Sequence, residues 1–327
     1  MPYPSPLVEC VINVSEGRDA AVLAACRAAI GTEPDCRLLH QDTGADAHRT
    51  VFTFAGTPDA VFAAAYRLYE VAVERIDMRQ HRGAHPRLGA VDVCPFVPVS
   101  GVTMDDIVAR TQVLGEQLGR RLGVPVYLYE KSASAPHRQN LAAVRRGEYE
   151  GLAQKVADPA WQPDYGPPLN PTFGATVLGA RPFLIAWNIN LAPDVPVAVA
   201  KALAAKLRGS GQRGTPGLFP DLKAIGWRIA EYDRCQISCN VVNAETTNLA
   251  KVYLTTVSLA AGSDAKVTGS ELIGLIPERY LRRAGRPFAF DGDRTEELDA
   301  AVSVLGLADL APFDWRERVL EEAMRLP

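Results

Sequence analysis

The sequence predicts an α+β protein in which one order of elements, β-α-β-β-α-β, occurs twice. Three observations predict it. Apolar, β-branched runs have strand length, alanine-rich amphipathic stretches between them have helix length, and both halves of the 327-residue chain alternate them in the same way. LVECVINV (7–14) is the first strand and ends at the turn Ser15-Glu16-Gly17. Residues 19–30 read as an amphipathic helix. CRLLHQD (36–42) and HRTVFTFAG (48–56) are strands around a Thr-Gly-Ala-Asp turn. Thr57-Pro58-Asp59 starts the second helix, with a capping hydroxyl, a first-turn proline and an acid at the positive end. That helix runs to about Met78, with Val61, Phe62, Ala65, Tyr66 and Tyr69 on one face. A histidine loop follows, then the strand AVDVCPFVPV (90–99). Thr103 and Asp106 form a capping box for another helix, with Asp in place of Glu. VPVYLYE (124–130) is a further strand.

From residue 182 the order repeats. PFLIAWNINL is a strand and residues 193–208 a helix. LKAIGWRIAEY and RCQISCNVVN are two strands around a short turn. Residues 245–261 form a helix, and AKVTGSEL is the last strand. This split βαβ order is the ferredoxin-like pattern, with helices on one face of an antiparallel sheet. Two such subdomains, 1–180 with the histidine loop and 181–327, are expected to hold a ligand cleft or tunnel between them. The proline-rich stretch 159–182 between them reads either as a linker or as an ordered loop walling a ligand, since it holds Trp161, Tyr165 and Phe173. The C-terminal segment reads as helices, with Trp315, Val319 and Leu320 on a packing face.

Composition narrows the function. A net charge of -3 gives no global attraction to nucleic acid or to an anionic membrane. The most apolar runs, such as FLIAWNINLA, fall well short of the ~20 residues of a membrane span. The start MPYPSPLVECV lacks the layout of a signal peptide. Six cysteines sit mostly in apolar runs without a CxxC pair, which suits core packing, a reducing cytoplasm and no metal.

The stretch HRGAHPRLGAVDVCP (81–95) carries two of the five histidines among arginines, glycine and proline. His81 and His85 have HxxxH spacing, but Gly83 and Pro86 break the helix that a zinc pair needs. Pro86 biases His85 toward extended backbone, and Gly83 permits close approach.

Nine motifs surround this loop. They are LVECVINVSEGRD (7–19), HRTVFTFAG (48–56), IDMRQHRGAHPRLGAVDVCPFVPVSGV (76–102), VPVYLYE (124–130), RRGEYEGL (145–152), FGATVLGARPFLIAWNINL (173–191), LKAIGW (222–227), QISCNVVN (236–243) and GSELIGLIP (269–277). Together, in this order, they resemble the glutamate formiminotransferases, including the formiminotransferase part of the bifunctional formiminotransferase-cyclodeaminases. The resemblance implies transfer of a formimino group from N-formimino-L-glutamate to tetrahydrofolate in histidine degradation, with tetrahydrofolate as co-substrate. It also implies two ferredoxin-like subdomains and a homodimer. The chain ends where the transferase part ends, so transferase activity without cyclodeaminase activity is expected. Formyl transfer from N-formylglutamate and folate binding without catalysis are the alternatives.

The resemblance makes His85, the second histidine of H-x-G-x-H-P-R, the catalytic residue, with His81 in support. An imidazole near pKa ~6.5 can take a proton from the attacking nitrogen and return it to the departing one. Asp42 matches an acidic position of the family and is a candidate to orient His85 or to face the positive formimino group; its bland alternative is a turn-capping Asp. The family's folate-binding segment falls on Gly166, Pro167, Pro168, Leu169, Asn170, Pro171, Thr172, Phe173 and Gly174. Phe173 stands where relatives can have Trp, and Ala84 where members of the family have Glu. The substrates carry several carboxylates, which suit the guanidinium forks of Arg49, Arg82 and Arg87. Asn188 and Asn190 alternate onto one strand face, where they either hydrogen-bond ligand or pair with buried backbone.

Overall fold

The computed structural model describes residues 6–212 and 214–325. The chain divides into two compact units that meet between Arg181 and Pro182. In the first, β1 (Leu7–Val14), α1 (Ala20–Ile30), β2 (Cys36–Gly44), β3 (Arg49–Gly56), α2 (Pro58–Arg75) and β4 (Val91–Ser100) follow the expected order. The strands pair β2-β3-β1-β4, every neighbour antiparallel. This is the split βαβ arrangement. Strand alternation divides the sheet by chemistry. Val8, Cys10, Ile12, Val14, Phe52 and Phe54 join the apolar core with α1 and α2. Glu9, Asn13, Val51 and Thr53 alternate with them and therefore lie on the opposite face.

Helix starts follow local chemistry. Thr103 caps α3 (Met104–Leu122) through a complete capping box with Asp106, and Gly123 ends it at φ +63°. Thr57 stands at the N-cap of α2, but its hydroxyl makes no bond to the helix; Pro58 alone marks the start.

The sheet extends beyond the four expected strands. After α3 come β5 (Val126–Leu128), α4 (Leu141–Arg145), α5 (Leu152–Lys155) and β6 (Thr176–Ala180). β6 inserts between β4 and β5 and runs parallel to both. The proline-rich stretch is therefore not a linker: its last part is an interior strand of the first unit. All five residues of TVLGA are buried, as suits a parallel strand covered on both faces.

The second unit repeats the first plan. β7 (Ile185–Leu191), α6 (Val197–Leu207), β8 (Leu222–Ile229), β9 (Arg234–Val241), α7 (Leu249–Ala261) and β10 (Val267–Ile273) form a sheet ordered β10-β7-β9-β8, again wholly antiparallel. Four C-terminal helices follow, α8 (Glu278–Gly285), α9 (Arg294–Leu305), α10 (Trp315–Arg318) and α11 (Leu320–Ala323), and bury Trp315, Val319 and Leu320 as expected. Cys235 and Cys239 are buried in this unit's core. Among the described residues no helix is long and apolar enough to cross a membrane.

Candidate functional site

The histidine loop joins α2 to β4 and is pinned at both ends. Met78 N donates to Thr172 O at 2.8 Å, and Ala90 N to Phe173 O at 2.8 Å. Ser15 adds a bond from its hydroxyl to Gly89 O at 2.7 Å. In the middle, Ala84 N donates to Asp46 O at 3.1 Å. A Cβ at Gly83 would stand 2.3 Å from Ala47 O, so this glycine is needed for the approach of the β2–β3 turn rather than of a ligand.

His85 sits half-buried in this frame. Its Nδ1 lies 2.7 Å from Pro86 O and 3.1 Å from Arg49 Nη1. The two contacts compete, because the carbonyl needs a proton on Nδ1 and the guanidinium needs a lone pair there. Arg49 Nη1 is already committed to Asp92 Oδ2 at 2.7 Å, and Nη2 to Asn13 Oδ1 at 2.5 Å. The carbonyl contact is also the shorter. Nδ1–H therefore donates to Pro86 O, and Nε2 carries the lone pair. Burial lowers the His85 pKa, and the Arg49 and Arg145 guanidiniums push it further, to about 3; Asp92 opposes them. The ring is thus neutral at neutral pH, well below the ordinary histidine range expected from sequence.

Asp92 organises the cluster. Its side chain is 0% exposed and accepts from Arg49, from Arg145 Nη2 at 2.6 Å, from Arg145 Nε at 3.2 Å and from Leu88 N at 2.9 Å. Burial works to raise its pKa, but Arg145 and Arg49 overcome this and hold it below the ordinary value. Two guanidiniums around one carboxylate leave one net positive charge beside His85. Asp42, the acid expected to serve His85, lies on β2 opposite Val51, so it shares a sheet face with Asn13. The carboxylate linked to His85 through Arg49 is Asp92.

His81 is built into the frame. Nε2–H donates to His48 O at 2.9 Å, and Arg87 Nε donates to Nδ1 at 3.2 Å. Its ring stacks on His48 at 4.2 Å. Burial, His48 and Arg87 lower its pKa. Arg87 is itself buried and bonded to Glu150 at 2.6 Å and Glu148 at 3.1 Å. Arg49 and Arg87 are therefore structural cations with internal carboxylate partners. Arg82 is the exposed one, its guanidinium bonded to backbone carbonyls of Arg79 and His81.

The segment from Gly166 to Gly174 braces the loop. Gly166 (φ +84°) packs against Val124 O, and Asn170 Nδ2 donates to Gly123 O at 3.0 Å. Asn170 Oδ1 accepts from Thr172 N at 3.1 Å and Phe173 N at 3.0 Å, while Gly174 N donates to Asn170 O. Tyr149 hydroxyl donates to Pro171 O at 2.6 Å. Phe173 corrects an expectation. It is 1% exposed and stacks on Tyr69 in the core, so it offers no face to a ligand. Pro168 and Leu169 are exposed and Pro167 half-buried.

In the second unit, Asn188 donates to Glu271 at 3.2 Å, and Asn190 to Asp309 at 3.0 Å. Gln236 bonds both Asn190, at 2.9 Å, and Glu271, at 3.3 Å. The two asparagines thus belong to a polar network with acidic partners.

Asp92, Arg145 and Asn13 were not singled out in the sequence. Asp92 had a signal: one acid in the apolar run AVDVCPF, which a buried strand tolerates only with cationic partners. Arg145 had none, because 53 residues separate it from Asp92. Among the described residues no group of three or more His, Cys, Asp or Glu side chains is placed to hold a metal ion.

Known proteins resemble this chain along both units. The formiminotransferase domain, N-terminal subdomain, matches residues 7–181, and the formiminotransferase domain matches residues 186–325. Formimidoyltransferase-cyclodeaminase of Gallus gallus is 44% identical over 321 residues, covering 96% of this chain but 59% of that protein. The chain thus spans less than two thirds of the bifunctional relatives it matches. Glutamate formimidoyltransferase of Streptococcus pyogenes serotype M1 is 38% identical over 316 residues, 96% of this chain and 97% of that one. A Thermoplasma acidophilum protein of the same name is 36% identical over 277 residues, covering 84% and 89%.

Proposed function

This chain belongs to the formiminotransferase domain family, and we propose that it transfers the formimino group of N-formimino-L-glutamate to tetrahydrofolate, giving 5-formiminotetrahydrofolate and glutamate. The observation that carries the reading is His85, a neutral imidazole with its Nε2 lone pair free of the bonds that fix Nδ1, set beside a net positive cluster. The printed names of the relatives of similar length support it.

The reaction exchanges one C–N bond for another. The folate nitrogen attacks the formimino carbon, a tetrahedral intermediate forms, and the glutamate nitrogen departs. Bond formation makes the attacking nitrogen acidic. His85 Nε2 takes that proton and delivers it to the departing glutamate nitrogen, so one proton crosses and none is consumed. A base held to a low pKa is unprotonated at neutral pH and ready for the first step. The acidity of its conjugate acid favours the second. Asp92 fixes Arg49 and Leu88, and through them the ring's position. The net positive charge of Arg49, Arg145 and Asp92 favours the carboxylate-bearing donor.

Tetrahydrofolate is the co-substrate in this reading, and no metal takes part. The segment from Gly166 to Gly174 contributes its exposed prolines and Leu169 to folate binding, with Asp42, His81, Arg82, Asn188 and Asn190 as further candidates. The protein acts in the cytoplasm as a homodimer, without nucleic acid or membrane. The test is turnover of tetrahydrofolate with N-formiminoglutamate and, in parallel, N-formylglutamate, reading glutamate release and the folate product. Preference for the formimino donor is expected. Preference for the formyl donor, or tight folate binding without turnover, overturns the reading.

A further inference from the structure

Lys155 stands apart from the other lysines of the chain. Lys131, Lys201, Lys206, Lys223, Lys251 and Lys266 are exposed, while Lys155 is half-buried. It is the last residue of α5, and its Nζ is held between two groups. The nitrogen lies 4.6 Å from the centre of the Trp161 ring and donates to Val144 O. Among the described residues no carboxylate pairs with it. Burial lowers its pKa to about 8, and the Arg146 guanidinium adds to that shift.

The bond to Val144 O leads to the charge cluster at His85. α4 has five residues, well below the ~12 at which a helix begins to hold by itself. It is held from outside. Asn140 Oδ1 accepts from Ala142 N at 3.0 Å at its start, Val144 is buried in a small core with Leu152, and Lys155 takes a carbonyl of its last turn. The residue after Val144 is Arg145, whose Nη2 and Nε donate to Asp92 at 2.6 and 3.2 Å. Lys155 is thus a support of the short helix that aims Arg145.

We propose that Lys155 is an acylation site that takes a small acyl group from an acyl phosphate, and that this modification releases Arg145 from Asp92. The Trp161 ring holds the ammonium cation, so the amine is let go when it loses its proton to solvent. The neutral Nζ then attacks the acyl carbon. A C–N bond forms, the C–O bond to phosphate breaks, phosphate leaves with the electron pair, and the nitrogen sheds a second proton. Arg146 beside the lysine favours a donor whose leaving group is an anion. The amide that results has no charge for the ring, and its added acyl group does not fit between Trp161 and Val144 O. α4 then loses its C-terminal support. With Arg145 gone, Asp92 keeps Arg49 alone, and the net positive charge beside His85 disappears. The effect on turnover rests on the transferase reading, whereas the modification and the charge change do not.

The test treats the whole protein with acetyl phosphate at neutral pH and follows each lysine by peptide mass spectrometry. Lys155 should be acetylated about tenfold faster than any exposed lysine, because its larger neutral fraction outweighs the lower nucleophilicity of a less basic amine. Acetylation of Lys155 no faster than the rest overturns the proposal. NMR titration of the His85 ring then reads the coupling. Its midpoint should rise by about one unit or more in protein acetylated at Lys155. Lys155→Arg treated in the same way controls for the other lysines, and its midpoint should stay where it is without reagent. An unmoved midpoint in acetylated protein, or an equal rise in treated Lys155→Arg, overturns the coupling and with it the proposal. Both readouts are independent of turnover, so an inactive protein would sink the transferase reading alone, and an active one with slow acetylation of Lys155 would sink only the proposal.

Discussion

Asp92 Oδ2 lies 2.7 Å from Arg49 Nη1, and that same nitrogen lies 3.1 Å from His85 Nδ1. The carboxylate therefore governs the imidazole at one remove. Removing its charge while keeping its shape should leave two buried guanidiniums facing each other. Asp92→Asn is expected to lose about 3–5 kcal/mol of stability, the usual effect of breaking a buried ion pair from one side. Denaturant unfolding measures this, and a loss under about 1 kcal/mol would mean that the cluster is solvated.

His85 should stay neutral far into the acid range. Its folded pKa is pushed down to about 3, while an unfolded histidine titrates near ~6.5. Between these values the unfolded chain binds the extra proton. The stability this group contributes is complete above ~6.5 and is lost as pH falls toward 3. NMR titration of the His85 ring should show no midpoint between pH 5 and 8, and Arg145→Gln should move the midpoint upward. A midpoint near ~6.5 in the unaltered protein would contradict the charge assignment.

Phe173 should matter to folding before it matters to ligand. Phe173→Ala opens a cavity against Tyr69 and should cost about 3–5 kcal/mol. The milder Phe173→Leu should keep folate affinity within about threefold, because a buried ring contributes no stacking surface. A large loss of folate affinity in Phe173→Leu, with stability unchanged, would return this ring to the ligand.

The two β-α-β-β-α-β units were legible because strand and helix periods differ and because Pro58 and the Thr103–Asp106 box mark helix starts. β6 was not, since a parallel strand buried on both faces has no alternation to read, and TVLGA sits in proline-rich surroundings. Within the site, the motif pointed to the loop that holds His85. It did not show that Arg49 and Arg87 are committed to Asp92, Glu148 and Glu150, because those partners come together only through the sheet and the short helices after β5. Composition also made Phe173 look like a ligand wall, whereas its neighbours Asn170 and Gly174 turn it inward. Asn188 and Asn190 were correctly put on one face, but their acidic partners lie 83 and 119 residues away.

The most direct test of formimino transfer through His85 is the turnover of His85→Ala with tetrahydrofolate and N-formiminoglutamate, beside the unaltered protein and with folate affinity measured in both. A fall in kcat of about 10²–10⁴-fold, with folate affinity little changed, is the expected result. Turnover within about threefold of the unaltered protein would remove His85 from the chemistry and contradict the mechanism.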